Sequence, residues 1–145
     1  MVEPARAVAG DAAAELAHHH DGDLVGLQSL EGDDFGTLRT VDSASWLVVA
    51  ARRRGLGTAM RAAALGLAFD HLGAVAAVTS AVLDNHASLG VSRHLGYADN
   101  GVSRISTGSG VADLQHLRLT ADTWRAAGHR VEVTGAEPCL AWFGA

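Results

Sequence analysis

The chain has 145 residues, a formal net charge of −5, 48% hydrophobic but only 5% aromatic residues, and one cysteine, Cys139. That length suits one domain that buries roughly two thirds of its unfolded surface without staples, and a lone cysteine closes no internal bridge, in keeping with a reducing compartment. The acidic balance argues against a general nucleic-acid binder; with no run of about 18 apolar residues and no charged-then-apolar start, a cytoplasmic protein without a membrane span is expected.

In chain order, Asp11 is a candidate N-cap for a helix over about 11–18. His18-His19-His20, followed by Asp21 and Asp23, has metal-ligating side chains. Consecutive residues on a helix end or loop do not converge on one ion, so a solvated loop is the reading and no metal is expected. Leu24 to Leu30 reads as a strand, Glu31 to Asp34 as a turn and Phe35 to Val41 as a second strand. With a third strand at Trp46 to Val49, these predict an antiparallel meander.

Beyond Gly57, apolar residues at Ala59, Met60, Ala63, Ala64, Leu67, Ala68 and Leu72 follow one helical face, ended by Gly73. Ala74 to Leu83 is continuously small and apolar, the pattern of a strand buried on both faces. Strand, glycine turn, helix and buried strand make a right-handed βαβ unit with parallel strands. A short helix over about Ala87 to Leu95 closes at Gly96. A hairpin of Tyr97 to Ser106 and Ala112 to Leu119 follows, then a helix from Ala121 to Ala127 capped by Thr120. Arg130 to Thr134 reads as a strand, and the apolar end from Cys139 docks on its own domain or on a partner subunit.

The chemistry concentrates where the Trp46 strand passes through Arg52, Arg53 and Arg54 and turns at Gly55 and Gly57 into the long helix. A helix start leaves backbone N–H groups unpaired and adds the positive end of the helix dipole, so a phosphate there satisfies both. Glycine lets that ligand close on the backbone. The bland reading is a tight connection carrying surface arginines. The dinucleotide fingerprint lacks its third glycine here, and a P-loop needs a lysine after Gly57, where Thr58 stands in a chain without lysine.

Arg52-x-x-Gly55-x-Gly57, the buried strand ending near Asp84, Asn85-x-x-Ser88 at a helix start and Leu95-Gly96-Tyr97 at its end resemble the GNAT N-acetyltransferase superfamily. Within it the branch acting on ribosomal-protein N-terminal amines is the nearer likeness, through Asn85-x-x-Ser88 before Leu95-Gly96-Tyr97 and the later Asp113 to Trp124 segment. The resemblance spans about Leu24 to Ala127. It implies an α/β fold of the α+β sandwich type: a mixed, mostly antiparallel sheet with one parallel βαβ unit and helices on both faces. Only about twenty residues precede Leu24, where the family ordinarily has a first strand and one or two helices, so an N-terminally shortened version is expected. Residues 1–145 would form a single acyltransferase domain, with 1–22 a short N-terminal segment and 128–145 a tail.

By the same resemblance, acetyl-coenzyme A or another acyl-coenzyme A is the co-substrate. Backbone amides of Arg53, Arg54, Gly55, Leu56, Gly57 and Thr58 would hold its pyrophosphate, with charge from Arg52 and Arg54. Arg53 stands where the family more often has glycine. Val48 and its strand would diverge from the buried strand to admit the pantetheine arm, which Asn85 would hydrogen-bond. Ser88 would face the thioester sulfur as general acid, with Tyr97 as a phenolic alternative. Asp42 occupies the place of the family's glutamate base, though it reads equally as a strand-end turn residue. His86 and His94 read as surface or cap residues, and nothing in the sequence sets the direction of His116. The acceptor would be a primary amine, on a protein N-terminus or a small molecule, with a homodimer as one way to complete the cleft. The rival is a non-catalytic acyl-coenzyme A-binding or dimerisation module, for which a one-sided groove would speak.

Overall fold

A computed structural model describes residues 2–3 and 11–144. Its strands are β1 (Val2–Glu3), β2 (Asp11–His20), β3 (Asp23–Asp33), β4 (Thr40–Leu47), β5 (Ala76–Val82), β6 (Ala98–Thr107) and β7 (Gly110–Thr120). They form one sheet in the order β1-β2-β3-β4-β5-β7-β6, antiparallel except for the β4–β5 pair. The helices are α1 (Phe35–Leu38), α2 (Leu56–Gly66, continued by a π-helical turn Leu67–His71), α3 (His86–His94), α4 (Ala121–Ala127) and α5 (Glu137–Phe143). The mixed sheet with its single βαβ unit is the expected fold class.

Several local expectations are corrected. Residues 11–18 are not a helix but most of β2, because Ala12, Ala14 and Leu16 are buried in alternation with outward Ala13, Glu15 and Ala17. Period-two burial against β3 outweighs the helix propensity of alanine. The histidine triplet thus lies on a strand, where neighbours point to opposite faces. Phe35 to Val41 is not one strand: β3 runs on to Asp33, and Asp34 and Arg39, both left-handed (φ 42° and 46°), bracket the single turn of α1 before β4 begins. The meander is therefore β2-β3-β4, and Trp46 and Leu47 end β4, with Val49–Ala51 forming a 3-10 turn. Arg130 to Thr134 forms no strand. Val131 packs against α2 at Gly66, where a β-carbon would come within 2.7 Å of Val131 Cβ.

Residues directly opposite on paired strands share a face. One face carries Leu30, Val41, Ala77, Leu117 and Leu119, all at most 1% exposed. All five helices pack on it. Phe35 of α1 fills the space over Gly32 and meets Phe143 of α5 edge-on at 5.0 Å; Met60 of α2 lies over Gly26; Ser92 of α3 bonds to α2; Trp124 of α4 lies 5.8 Å from Phe69. The C-terminal apolar end docks on its own chain through Cys139 and Phe143. Helices on both faces were expected, but among the described residues the opposite face carries none. Its positions are Glu15, Leu27, Glu31, Asp42, Trp46 and Ser80, exposed and too polar or too scattered to bury a helix. Residues 4–10, within the expected 1–22 segment, lie outside the described residues.

Candidate active site

The β4–β5 ladder consists of Thr40↔Ala76, Val41↔Ala77 and Asp42↔Val78 and then stops. β4 continues to Leu47 against β3 while β5 continues to Val82 against β7, so the sheet forks at Asp42. One hydrogen bond still crosses the fork, from Thr79 Oγ1 to the Ser43 carbonyl at 2.8 Å. Beyond it, the edge of β4 that faces β5 has no strand partner, which leaves main-chain groups for an extended ligand.

At the far end of β4, the 3-10 turn delivers Arg52 in extended conformation, Arg53 at φ 60° and Gly55 at φ 74° as the N-cap of α2. Only Gly55 adopts that conformation without steric cost. Gly55 supplies no side-chain cap, and the first backbone bond of the helix is Ala59 N–H to the Gly55 carbonyl at 3.1 Å. The amides of Leu56, Gly57 and Thr58 are therefore the unpaired donors of a helix start.

A cavity of about 540 Å³ runs from this turn along the end of β4 as far as Ser45, within the range of small-ligand sites. Of the residues expected to hold the coenzyme, Arg52, Arg53, Gly55, Gly57, Thr58, Asn85 and Ser88 line it. Val48, Arg54 and Leu56 do not. The Val48 amide is taken by the Val25 carbonyl at 2.9 Å, and Arg54 Nη2 lies 3.4 Å from His20 Nε2. Asn85 is the N-cap of α3, its Oδ1 accepting the Ser88 N–H at 3.2 Å, so its side-chain amide nitrogen is the part left to a ligand. Gly57 faces open space, with Val91 Cγ2 the nearest atom, at 3.9 Å from a built β-carbon.

Sequence reading missed Arg61, Ser45 and Val91, which also line the cavity. Arg61 is 3% exposed and donates from Nη1 to Ser92 Oγ and from Nη2 to Ser45 Oγ, both at 3.1 Å. Its signal in the sequence is a lone charge in the buried stripe that also holds Ala64, Leu65 and Ala68. Tyr97, 4% exposed, lies beside it: burial pushes the phenol pKa up, while adjacent Ser43 and Arg61 pull it down.

The opposite face opens on the same fork. Asp42 and Ser80 are common to two recesses, one with Ser29, Glu31 and Ala44, the other with Asn100 and His116. Loss of water raises the Asp42 pKa, opposed by the Ser43 backbone amide; Asp33 adds to the rise and Arg61 and His116 oppose it. The direction of His116 is now settled: it faces this recess, and its Nε2 lies 2.7 Å from Ser103 Oγ. The expected site thus divides, with Ser88 and Tyr97 on the helix side and Asp42 on the open side.

A search of known families matches residues 6–98 to the one described as Acetyltransferase (GNAT) domain. The chain belongs to the GNAT acetyltransferase family. Solved structures share the fold: a probable acetyltransferase at TM-score 0.70 and 22% identity, covering 79% of this chain and 64% of its own. Spermidine N-acetyltransferase from Vibrio cholerae in complex with CoA and spermine gives TM-score 0.70 at 13% identity, covering 80% of this chain and 69% of that one. Glu-to-Gln mutant forms of the spermidine/spermine N-acetyltransferase from Vibrio cholerae give 0.73 at 11%, covering 83% and 70%. The GNAT chain described here thus spans about two thirds of the length of these neighbours.

Proposed function

We propose that this chain transfers an acyl group from acyl-coenzyme A to a primary amine by direct attack on the thioester, acting as a single domain. The observation that carries the reading is the fork, with a donor cavity ending at an anion-binding turn on one face and polar recesses on the other. The pyrophosphate sits on the amides from Arg53 to Thr58 beside Arg52, while Arg54 adds charge from outside the cavity. The pantetheine arm follows the free edge of β4, and a β4 amide receives the developing oxyanion. Ser88 protonates the leaving thiolate. Asp42 accepts the amine proton; its raised pKa makes it a stronger base than an ordinary aspartate. Tyr97, buried on the helix side beside Ser43 and Arg61, does not meet the amine.

Glu31 and Asp42 make the open mouth acidic, which favours an amine arriving as a cation. A small amine fits this mouth, as does a protein N-terminus of the kind suggested by Asn85-x-x-Ser88 and Leu95-Gly96-Tyr97. A one-sided groove would have favoured the non-catalytic module; recesses on both sides of the fork support catalysis instead. The buried, unpaired Cys139 suits the cytoplasm.

Calorimetry with acetyl-coenzyme A on the wild type and on Gly57→Glu tests the donor half. A glutamate at 57 projects into open cavity space and opposes the pyrophosphate charge, so affinity should fall at least a hundredfold with thermal stability retained. Equal binding by both proteins, or none by either, overturns the coenzyme site.

A further inference from the structure

Arg61 is a buried cation with no carboxylate at ion-pair distance among the described residues; Asp42 acts on it only from farther off. Its two hydrogen-bond partners are neutral hydroxyls, its Nε has none among the described residues, and it forms no ion pair there. Taking a guanidinium out of water without a counter-charge costs several kcal/mol. Two neighbouring hydroxyls, Ser43 Oγ and Tyr97 Oη, are also buried and without partners among the described residues. The two hydroxyls lie against each other and against Arg61 and can serve one another; the guanidinium, which only donates and lines the donor cavity, is the group a ligand carboxylate complements.

The position separates this anion site from the pyrophosphate seat. Arg61 lies five residues into α2, about 7.5 Å along the axis from Leu56 at 1.5 Å per residue. It bonds to Ser45, two residues before Leu47 at the end of β4, so it meets the acyl end of a donor laid along that strand.

We propose that the donor carries an acyl group ending in a carboxylate, the half-thioester of a short dicarboxylic acid with coenzyme A, and that Arg61 is the residue selecting it. This rests on the acyl-transfer reading above. The ammonium first gives one proton to solvent; the neutral amine nitrogen then bonds to the thioester carbonyl carbon, the carbon–sulfur bond breaks, the second amine proton goes to Asp42, and the thiolate leaves as coenzyme A thiol with the Ser88 proton, which solvent restores as Asp42 releases its own. The product is an amide that keeps the distal carboxylate, so a cationic amine becomes an anionic amide. Arg61 is untouched by the bond changes. It holds the carboxylate before and after the transfer, beside Ser45, which lines the same cavity.

Calorimetry of the full chain with coenzyme A, acetyl-coenzyme A and succinyl-coenzyme A decides it without knowledge of the acceptor. Succinyl-coenzyme A should bind the wild type at least tenfold more tightly than acetyl-coenzyme A, and the ratio should collapse to about one in Arg61→Met. Arg61→Gln, which retains polar contacts to the serines, is the second variant should the first fold poorly. Equal wild-type affinities for the two thioesters, with coenzyme A itself bound, leave the coenzyme reading standing and overturn this inference, since a role confined to transient charge does not discriminate ground-state donors. A succinyl preference that survives both substitutions also overturns it. Binding of none of the three overturns both readings.

Discussion

Asp42 sits where the β4–β5 ladder ends, and its environment favours the protonated carboxyl. A carboxyl with a folded-state pKa above its unfolded value binds the proton more tightly in the native state. The native state is therefore penalised as pH rises above the ordinary aspartate value of 3.8 and through the raised folded value, and it bears no such penalty at lower pH. Asp42→Asn should accordingly raise the melting temperature at pH 7 and leave it unchanged near pH 3, while abolishing most acyl transfer. A melting temperature that falls at pH 7 would mean that the carboxylate is stabilised by partners rather than desolvated. The residue remains exposed on one side, so the effect is a direction rather than a large energy. Asp42 was readable from its place ahead of the Trp46 strand. Arg61 was not, because a single arginine in a helical stripe acquires meaning only when Ser45 and Ser92 from other elements are seen to meet it.

The elements that hold the site depend on close backbone approaches as much as on hydrophobic pattern. Gly66 lets the chain after α4 cross α2, since a β-carbon there would come within 2.7 Å of Val131. Gly66→Ala should therefore destabilise by about 1–3 kcal/mol, the usual cost of overpacking, and Gly66→Ala with Val131→Ala should recover part of the loss through their shared space. Chemical denaturation of the two single variants and the double variant checks the coupling; additive losses would sink the contact. The same crossing explains why Arg130 to Thr134 forms no strand: Val131 and Val133 pack against the helix-covered core rather than extend the sheet. In β2 the opposite happened, and an alanine-rich run suited to a helix became a strand because β3 offered a ladder and a core face.

At the scale of the molecule, the proposed reading has donor and acceptor approach the fork from opposite faces of one sheet. Ser80 is exposed on the open face and common to both recesses. Ser80→Arg should block the acidic mouth and slow acyl transfer at least tenfold, while the dissociation constant for acetyl-coenzyme A stays within twofold. Steady-state kinetics with calorimetry checks this, and a matching loss of coenzyme affinity would place the acceptor on the helix side. By itself the sequence determined the βαβ unit, the glycine turn into α2 and the short helix α3 closed at Gly96, because each is set by short-range pattern: glycine spacing and helical periodicity. Only the tertiary structure decided where the β4–β5 ladder ends, that the helices gather on one face, and that Arg61, Ser43 and Tyr97 share a buried space. Those depend on contacts between residues far apart in the chain, which no local pattern encodes.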